Sequence, residues 1–168
     1  MSITTPVGTL SFPSLFQPTS FNGSDPKFTT MLIFDEGADI SALEAAIEQA
    51  LIKKFGSVPA SWNNPIKDGN TKKDKDGNVR QEFANRKFIT VKCKASEQPA
   101  VYDAEVQLVI DPREVYGGAK ARVSINPFAY EMGGKGVSLY LKGVQLTGEG
   151  EPFGVATSAA DDFTKAPF

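Results

Sequence analysis

The hydrophobic residues of the chain recur with a helical period in one segment only. Within Asp39–Phe55 the apolar positions stand three or four residues apart, which is the spacing of an amphipathic helix. They are Ile40, Leu43, Ile47, Leu51 and Phe55. Asp39 is a residue type that caps helix N-termini, and Gly56 is one at which helices commonly end. The pattern therefore predicts a single helix over Asp39–Phe55.

Elsewhere apolar and polar positions alternate with a period of two residues, which is typical of strands. Six segments combine this pattern with many aromatic and β-branched residues and with turn-forming residues at their ends. They are Gly8–Gln17, Lys27–Asp35, Arg86–Lys94, Ala100–Asp111, Ala119–Tyr130 and Val137–Thr147. Short strands with one helix and glycine-rich connections predict a mainly β fold, as a closed or partly closed antiparallel barrel.

Two parts of the chain show no strong pattern. Residues 57–85 predict a loop that is longer than an ordinary connection, and such loops are usually functional or disordered. Residues 148–168 predict an acidic and flexible C-terminal tail. The length of 168 residues suits one domain, so we expect a folded domain over residues 1–147 followed by this tail.

The composition argues against an enzyme. The chain has no histidine and a single cysteine, Cys93. It therefore lacks the base of Ser-His-Asp and Cys-His catalysis, and it has too few ligands for structural zinc. We expect a non-enzymatic protein without a metal or another cofactor. A single cysteine, no secretory signal and no apolar run that could span a membrane together predict a cytoplasmic protein.

The net charge of −2 conceals a strong separation of charge along the chain. Residues 53–94 hold eleven Lys or Arg against four Asp or Glu, a net charge of +7. By the same count, residues 1–52 carry −5 and residues 148–168 carry −3. Local patches attract polyanions whatever the total charge is. The basic middle of the chain therefore predicts a surface that binds a polyanion.

Three predicted strands carry aromatic and cationic residues on their polar faces. These residues are Arg86, Phe88, Lys92 and Lys94 in the third strand, Arg122, Phe128 and Tyr130 in the fifth, and Tyr140 and Lys142 in the sixth. Rings that stack bases beside cations that meet phosphates are the requirements of a single-stranded nucleic-acid platform. Two points stay open: Phe88 could instead pack beneath the long loop, and Pro127 leaves the faces of Phe128 and Tyr130 uncertain.

The long loop and one turn add further cations. The loop contains KDGNTKKDKDGNVR over Lys67–Arg80, and its cations are Lys67, Lys72, Lys73, Lys75 and Arg80. Two interpretations are open here: a solvated hairpin turn at Asp76-Gly77, and a flexible basic finger over a nucleic-acid strand. The segment GGKG at Gly133–Gly136 lacks the residues of a phosphate loop, so it predicts a turn that brings Lys135 near a phosphate.

Five short motifs follow one another along residues 10–150. They are NPIKDGN (Asn64–Asn70), the turn Asp76-Gly77, DPREVYGG (Asp111–Gly118), FAY (Phe128–Tyr130) and GGKGVSLYLKGVQL (Gly133–Leu146). With these motifs the chain resembles the single-stranded-DNA-binding proteins of tailed bacteriophages. The resemblance implies an OB-fold, a five-stranded antiparallel Greek-key barrel with an inserted helix and the long basic loop. It also implies that the protein binds single strands of any sequence during phage replication, in the cytoplasm of the infected bacterial host.

The chain ends in AADDFTKAPF over residues 159–168. Bacterial and phage single-strand-binding proteins commonly end in an acidic segment that finishes with an aromatic residue. The resemblance therefore implies that Asp161, Asp162 and Phe168 form a partner-binding tail for replication and recombination proteins. The alternative is that Phe163 or Phe168 packs against the core.

Taken together, the sequence predicts a protein that coats and protects single-stranded DNA during phage replication and recombination, without reading its sequence. Lysine and arginine would neutralise phosphates while aromatic rings stack bases. The main alternative is a structural or interaction protein of the virion with a basic β-domain. An enzyme acting on nucleic acid is a third, which the scattered acidic residues disfavour. The oligomeric state is left open.

Overall fold

The computed structural model describes residues 2–20 and 25–148, which form eight strands and one α-helix. The strands are β1 (Ile3–Thr4), β2 (Gly8–Thr19), β3 (Lys27–Phe34), β4 (Lys67–Asp68), β5 (Lys87–Lys94), β6 (Ala100–Tyr102), β7 (Lys120–Tyr130) and β8 (Gly136–Gly148). The helix α1 spans Ser41–Phe55, and short 3-10 turns occur at Gly69–Thr71 and Pro112–Glu114. The predicted mainly β fold with one α-helix is confirmed over these residues.

The eight strands form one sheet, and five of them pair in a closed ring. β7 pairs with β2, β2 with β3, β3 with β5, β5 with β8, and β8 again with β7. The short strands β1, β4 and β6 join this ring at β7, β5 and β8. The pairs β5–β8 and β6–β8 are parallel. The sheet therefore differs from the predicted antiparallel five-stranded barrel in two ways: the ring contains the parallel pair β5–β8, and three further strands join it. These three have two or three residues each, which is too short to show a period.

The helix packs its predicted apolar face against the sheet. Leu43, Ile47 and Leu51 are buried in the main core, which also holds the inward side chains of the ring strands. The helix begins two residues later than predicted, since the Asp39 carboxylate accepts hydrogen bonds from the backbone N–H and the hydroxyl of Ser41, at 3.0 and 2.6 Å. It ends as predicted at Gly56, whose φ of 80° is in the left-handed region.

Five predicted strands are confirmed with ends that differ by at most two residues, but the fourth, Ala100–Asp111, is wrong beyond its first three residues. The strand stops at Tyr102 and a turn follows. In this turn the Asp103 carboxylate accepts hydrogen bonds from the backbone N–H groups of Glu105 and Gln107, both at 2.9 Å. The Asp103 side chain thereby takes backbone N–H groups that would otherwise form hydrogen bonds with a neighbouring strand, and the chain bends.

The long loop folds onto the outer face of the sheet. Its residue Phe83 is completely buried, and its ring meets the Phe88 ring edge to face with centroids 5.1 Å apart. A Cβ atom on Gly69 would overlap the carbonyl oxygen of Phe83, so only glycine allows the loop to pack this closely. Of the two interpretations of the loop segment, the structure shows the hairpin turn at Asp76-Gly77: Gly77 has a φ of 84°, and its N–H donates to the carbonyl of Asp74 at 3.0 Å. A contact of this segment with nucleic acid stays a prediction.

Candidate nucleic-acid interface

A groove of about 630 Å³ crosses the outer face of the sheet. Its walls carry the three lysines Lys27, Lys67 and Lys92 and the two aromatic residues Phe128 and Tyr130. None of the described residues that line it is acidic. The groove therefore combines a basic surface with exposed ring area, which are the two components of a site for single-stranded nucleic acid.

The strand register brings the groove residues to one face. Lys92 on β5 lies opposite Thr29 on β3 and Tyr140 on β8. Phe128 on β7 lies opposite Ser138 on β8. Because paired residues of neighbouring strands point to the same side of a sheet, these side chains share the outer face. The site thus depends on pairings between distant parts of the chain.

The ring of Tyr130 is held against the backbone of β8. A Cβ atom on Gly136 would lie 2.6 Å from the Tyr130 hydroxyl oxygen, so the ring occupies the space that any larger residue would need. The Asn63 Nδ2 atom donates to the same hydroxyl at 3.4 Å. Asn63 is itself fixed, because its backbone N–H donates to the carbonyl of Lys135 at 2.8 Å. The aromatic wall of the groove is therefore placed by neighbouring backbone.

The groove lysines have no acidic partner among residues 2–20 and 25–148. The ion pairs in this part of the chain are Arg80–Glu82, Arg113–Asp111 and Lys120–Asp35, at 3.9, 2.9 and 3.8 Å. The ammonium groups of Lys27, Lys67 and Lys92 are consequently not engaged in ion pairs within this part of the chain and are available to a ligand. An anion such as a phosphate backbone that enters the groove would be attracted by all three.

Seven of the predicted DNA-binding residues lie on or beside this face. Lys67, Lys92, Phe128 and Tyr130 line the groove itself. The other three, Lys94, Tyr140 and Lys142, continue the face on β5 and β8. Pro127 had left the face of Phe128 uncertain, and the structure shows this residue on the outer face with 47% of it exposed. Tyr140, by contrast, is half-buried against the core.

The prediction that Phe88 offers its ring to solvent is wrong, since only 3% of the residue is exposed. The alternation along β5 does put Phe88 on the outer face, beside Thr90 and Lys92. The long loop covers it there, with Phe83 packed on its edge and the Lys72 ammonium 5.3 Å from its ring centre. The ring belongs to a second small core beneath the loop.

Two predicted arginines are engaged in structural hydrogen bonds away from the groove. The Arg86 Nη1 atom donates to the carbonyl oxygens of Gln81 and Glu82, both at 3.2 Å, and so closes the end of the long loop. The Arg122 Nε atom donates to the Gln145 side-chain oxygen at 2.7 Å. Neither residue lines the groove.

The remaining predicted cations do not line the groove. The Lys135 ammonium lies 4.9 Å from the centre of the Phe55 ring. The Arg80 guanidinium lies 5.6 Å from the centre of the Phe12 ring. Two exposed lysines, Lys73 and Lys75, belong to the hairpin turn of the loop. The DNA contacts expected of these residues stay predictions, as do those of the tail residues Asp161, Asp162 and Phe168, which lie outside the described residues.

The groove residues that sequence reasoning missed include Lys27, Asn63 and Met132. Lys27 is the one cation of the acidic N-terminal block, and the block's net charge hid it. Its register partner is Lys94, and only that pairing reveals its place on the basic face. Met132 is 90% exposed at the turn before β8. Its signal in the sequence was its position between Tyr130 and the predicted turn at GGKG.

Other kinds of site find little support in the described residues. These residues contain no cluster of three or more His, Cys, Asp or Glu side chains that could hold a metal ion. No helix formed by them is long and apolar enough to cross a membrane. The thiol of Cys93 is buried, and this desolvation, with a smaller effect of Glu97, raises its pKa to about 11. It is therefore a weak nucleophile at neutral pH.

The solved structures that resemble the fold include two single-stranded DNA-binding proteins of phages. The single-stranded DNA-binding protein from bacteriophage Enc34, in complex with single-stranded DNA, matches with a TM-score of 0.75 and 24% identity, over 91% of this chain and 89% of that chain. The single-stranded DNA-binding protein gp2.5 of bacteriophage T7 matches with a TM-score of 0.60 and 18% identity, over 100% and 97% of the two chains. At these identities the likeness concerns the fold alone.

Sequence comparison gives the family. Protein p50 of Acyrthosiphon pisum secondary endosymbiont phage 1 is 26% identical over 169 aligned positions, which cover 92% of this chain and 88% of that protein. The family described as "Enterobacter phage Enc34, ssDNA-binding protein" matches residues 1–167, nearly the whole chain. The chain belongs to this family of phage single-stranded DNA-binding proteins.

Proposed function

We propose that the protein binds single-stranded DNA without sequence preference, and that it coats and protects this DNA during phage replication and recombination. The observation that carries the proposal is the groove, where three lysines that have no acidic partner in the described part of the chain face two aromatic rings. Lysines release counterions from the phosphate backbone, and rings stack on any base. Membership of the family described above supports the same function.

The ring of β2, β3, β5, β7 and β8 supports an OB-fold for the domain over residues 1–147, with α1 and three short strands as additions. OB-folds bind oligonucleotides on the face of their second and third barrel strands. In this chain those strands are β3 and β5, which contribute Lys27, Thr90 and Lys92 to the groove. The position of the groove therefore agrees with the proposed fold.

The direct test is a fluorescence anisotropy titration of labelled oligo(dT), a mixed-sequence strand and the matching duplex, each at two salt concentrations. The two single strands should bind alike, and each phosphate contact should contribute about −0.7 to the slope of log affinity against log salt. Phe128→Ala should weaken binding, whereas Ile110→Ala, at an exposed residue that does not line the groove, serves as the matched control. Salt-independent binding, or binding to one sequence only, would exclude the proposal.

A structural or interaction protein of the virion is the second candidate. It is favoured by three exposed apolar residues after β6: Val106, Leu108 and Ile110, which are 66%, 61% and 79% exposed. Apolar patches of this kind often mark protein interfaces. Quantitative mass spectrometry separates the two functions, because a virion component is found in stoichiometric amounts in purified particles and a replication protein is found in the infected-cell lysate.

For residues 148–168 we propose the role of an acidic tail that competes with DNA for the groove and recruits replication and recombination proteins in the host cytoplasm. The segment carries four acids and one lysine. A tethered counter-charge acts at high local concentration.

Removal of residues 148–168 should strengthen single-strand binding at low salt, and the gain in affinity should shrink above roughly 0.15 M salt. Phe168→Ala should spare DNA binding and reduce recovery of replication proteins in pull-downs. Equal DNA affinity with and without the tail would contradict the competition.

A further inference from the structure

Phe12 is an aromatic residue that the sheet exposes in a strained backbone conformation. Its φ is 49°, in the left-handed region that bulky residues rarely adopt. The pairing of β2 with β3 is irregular between Ser11 and Ser14, and this bulge turns Phe12 outward. The residue is 58% exposed. Neither burial nor backbone preference explains a phenylalanine here, and strain of this kind gathers at binding sites.

A cation is positioned over the Phe12 ring. The Arg80 guanidinium carbon lies 5.6 Å from the ring centre. The backbone of Arg80 is anchored, because its N–H donates to the carbonyl of Lys72 at 2.9 Å and its carbonyl accepts from the N–H of Phe83 at 3.0 Å. The contact of Arg80 with Glu82 is long, at 3.9 Å. Arg80 therefore has guanidinium donors left for a phosphate.

The strand register connects Phe12 with the groove. Ser11, the neighbour of Phe12, lies opposite Met31 on β3, and Met31 lies opposite Thr90 on β5. Thr90 is a lining residue of the groove. Two strand spacings, roughly 10 Å along the sheet, therefore separate the groove from Phe12. Met31 packs against the small core beneath the long loop. A single strand that leaves the groove past β5 and β3 would therefore run beside this loop, which carries Arg80, and reach β2 at Phe12.

We propose that Phe12 and Arg80 form a second binding position for single-stranded DNA, outside the groove. One base stacks on the free face of the Phe12 ring, and Arg80, on the other face, contacts an adjacent phosphate. The arrangement combines base stacking with a cation–π contact, as single-strand binders do. This inference rests on the proposed function, and it adds the direction of the DNA: from β7 across β8, β5 and β3 to β2.

The test uses oligo(dT) of two lengths, about 4 and about 16 nucleotides, the limits of the site size of one OB-fold. Phe12→Gly removes the ring and relieves the positive φ, so thermal unfolding should show a stable protein. The Phe12→Gly variant should bind the long strand about 5- to 150-fold more weakly than the wild type, which is the effect of one stacked base. Its affinity for the short strand should be unchanged. Phe12→Tyr keeps the ring and should bind both strands as the wild type does.

The outcomes separate this inference from the function on which it rests. If the wild type binds neither strand, the proposed function fails and the inference with it. If Phe128→Ala weakens both strands but Phe12→Gly weakens neither, the function stands and the second position is wrong. Equal losses of Phe12→Gly on both lengths would also overturn a position outside the groove. As a local readout, Phe12→Trp in a Trp62→Phe background should be quenched by the long strand only, and quenching by neither strand would refute the stacking.

Discussion

Replacing Lys92 by glutamine tests the electrostatic role of the groove most directly. The change removes one of three groove ammonium groups and keeps a polar side chain of similar length. If each lysine meets one phosphate, the groove contributes about −2.1 to the salt slope in the wild type and about −1.4 in Lys92→Gln. Over a fourfold rise in salt the groove contribution to affinity then falls about 18-fold in the wild type and about 7-fold in the variant.

The assay is an anisotropy titration with oligo(dT) at four or more salt concentrations, which gives the slope for each protein. Lys53→Gln is the matched control, because it removes the same charge from the last turn of α1, outside the groove. We expect a slope difference of about 0.7 for Lys92→Gln and little change for Lys53→Gln. Equal slopes for Lys92→Gln and the wild type would refute a phosphate contact at Lys92. Equal reductions in both variants would show that total charge, and not the groove, governs binding.

Three further outcomes follow from other contacts. Phe88→Ala should lower the free energy of unfolding by about 3–5 kcal/mol in urea titrations, because a buried ring is lost, and a stable variant with weakened DNA binding would contradict this. Gly136→Ala should displace the Tyr130 ring and lower single-strand affinity about tenfold. Gly148→Ala on the same strand, where a new Cβ atom would meet only the Lys120 Cβ atom at 4.0 Å, should bind normally. Unchanged affinity of Gly136→Ala would mean that the ring is not used. Because its pKa is raised to about 11, only about a thousandth of the Cys93 thiol is ionised at pH 8. Iodoacetamide should therefore label this thiol only after denaturation, and rapid labelling of the native protein would contradict this.

The local elements were the ones that the sequence predicted well. Helix α1 follows from spacings of three and four residues, and its buried Leu43, Ile47 and Leu51 are those that the period indicated. Phe88 shows where this reasoning ends. The alternation placed it correctly on the outer face of β5, but its burial depends on Phe83, which reaches it only through the folding of the long loop. A period of two cannot report what covers a face.

Non-local pairing decided the rest of the site. Lys27 joins the basic face because β3 pairs with β5, a register of residues more than sixty positions apart. The false strand over Ala100–Asp111 had a different cause. Polar and apolar residues alternate over residues 103–108, and the segment contains neither glycine nor proline, yet the hydrogen bonds of the Asp103 carboxylate turn the chain. An aspartate inside an alternating run was the one available signal for that turn.

The dependence of the sheet on β8 has a consequence for biosynthesis. β8 pairs with β5, β6 and β7, so the ring of strands cannot close before residues 136–148 have left the ribosome. At about 5–20 residues per second, roughly 3–10 s pass between the emergence of β5 and that of β8. During this interval the nascent chain carries strands with open edges, which pair readily with other chains. The pairing that completes the groove therefore also ends the period in which a newly made molecule is most prone to aggregate.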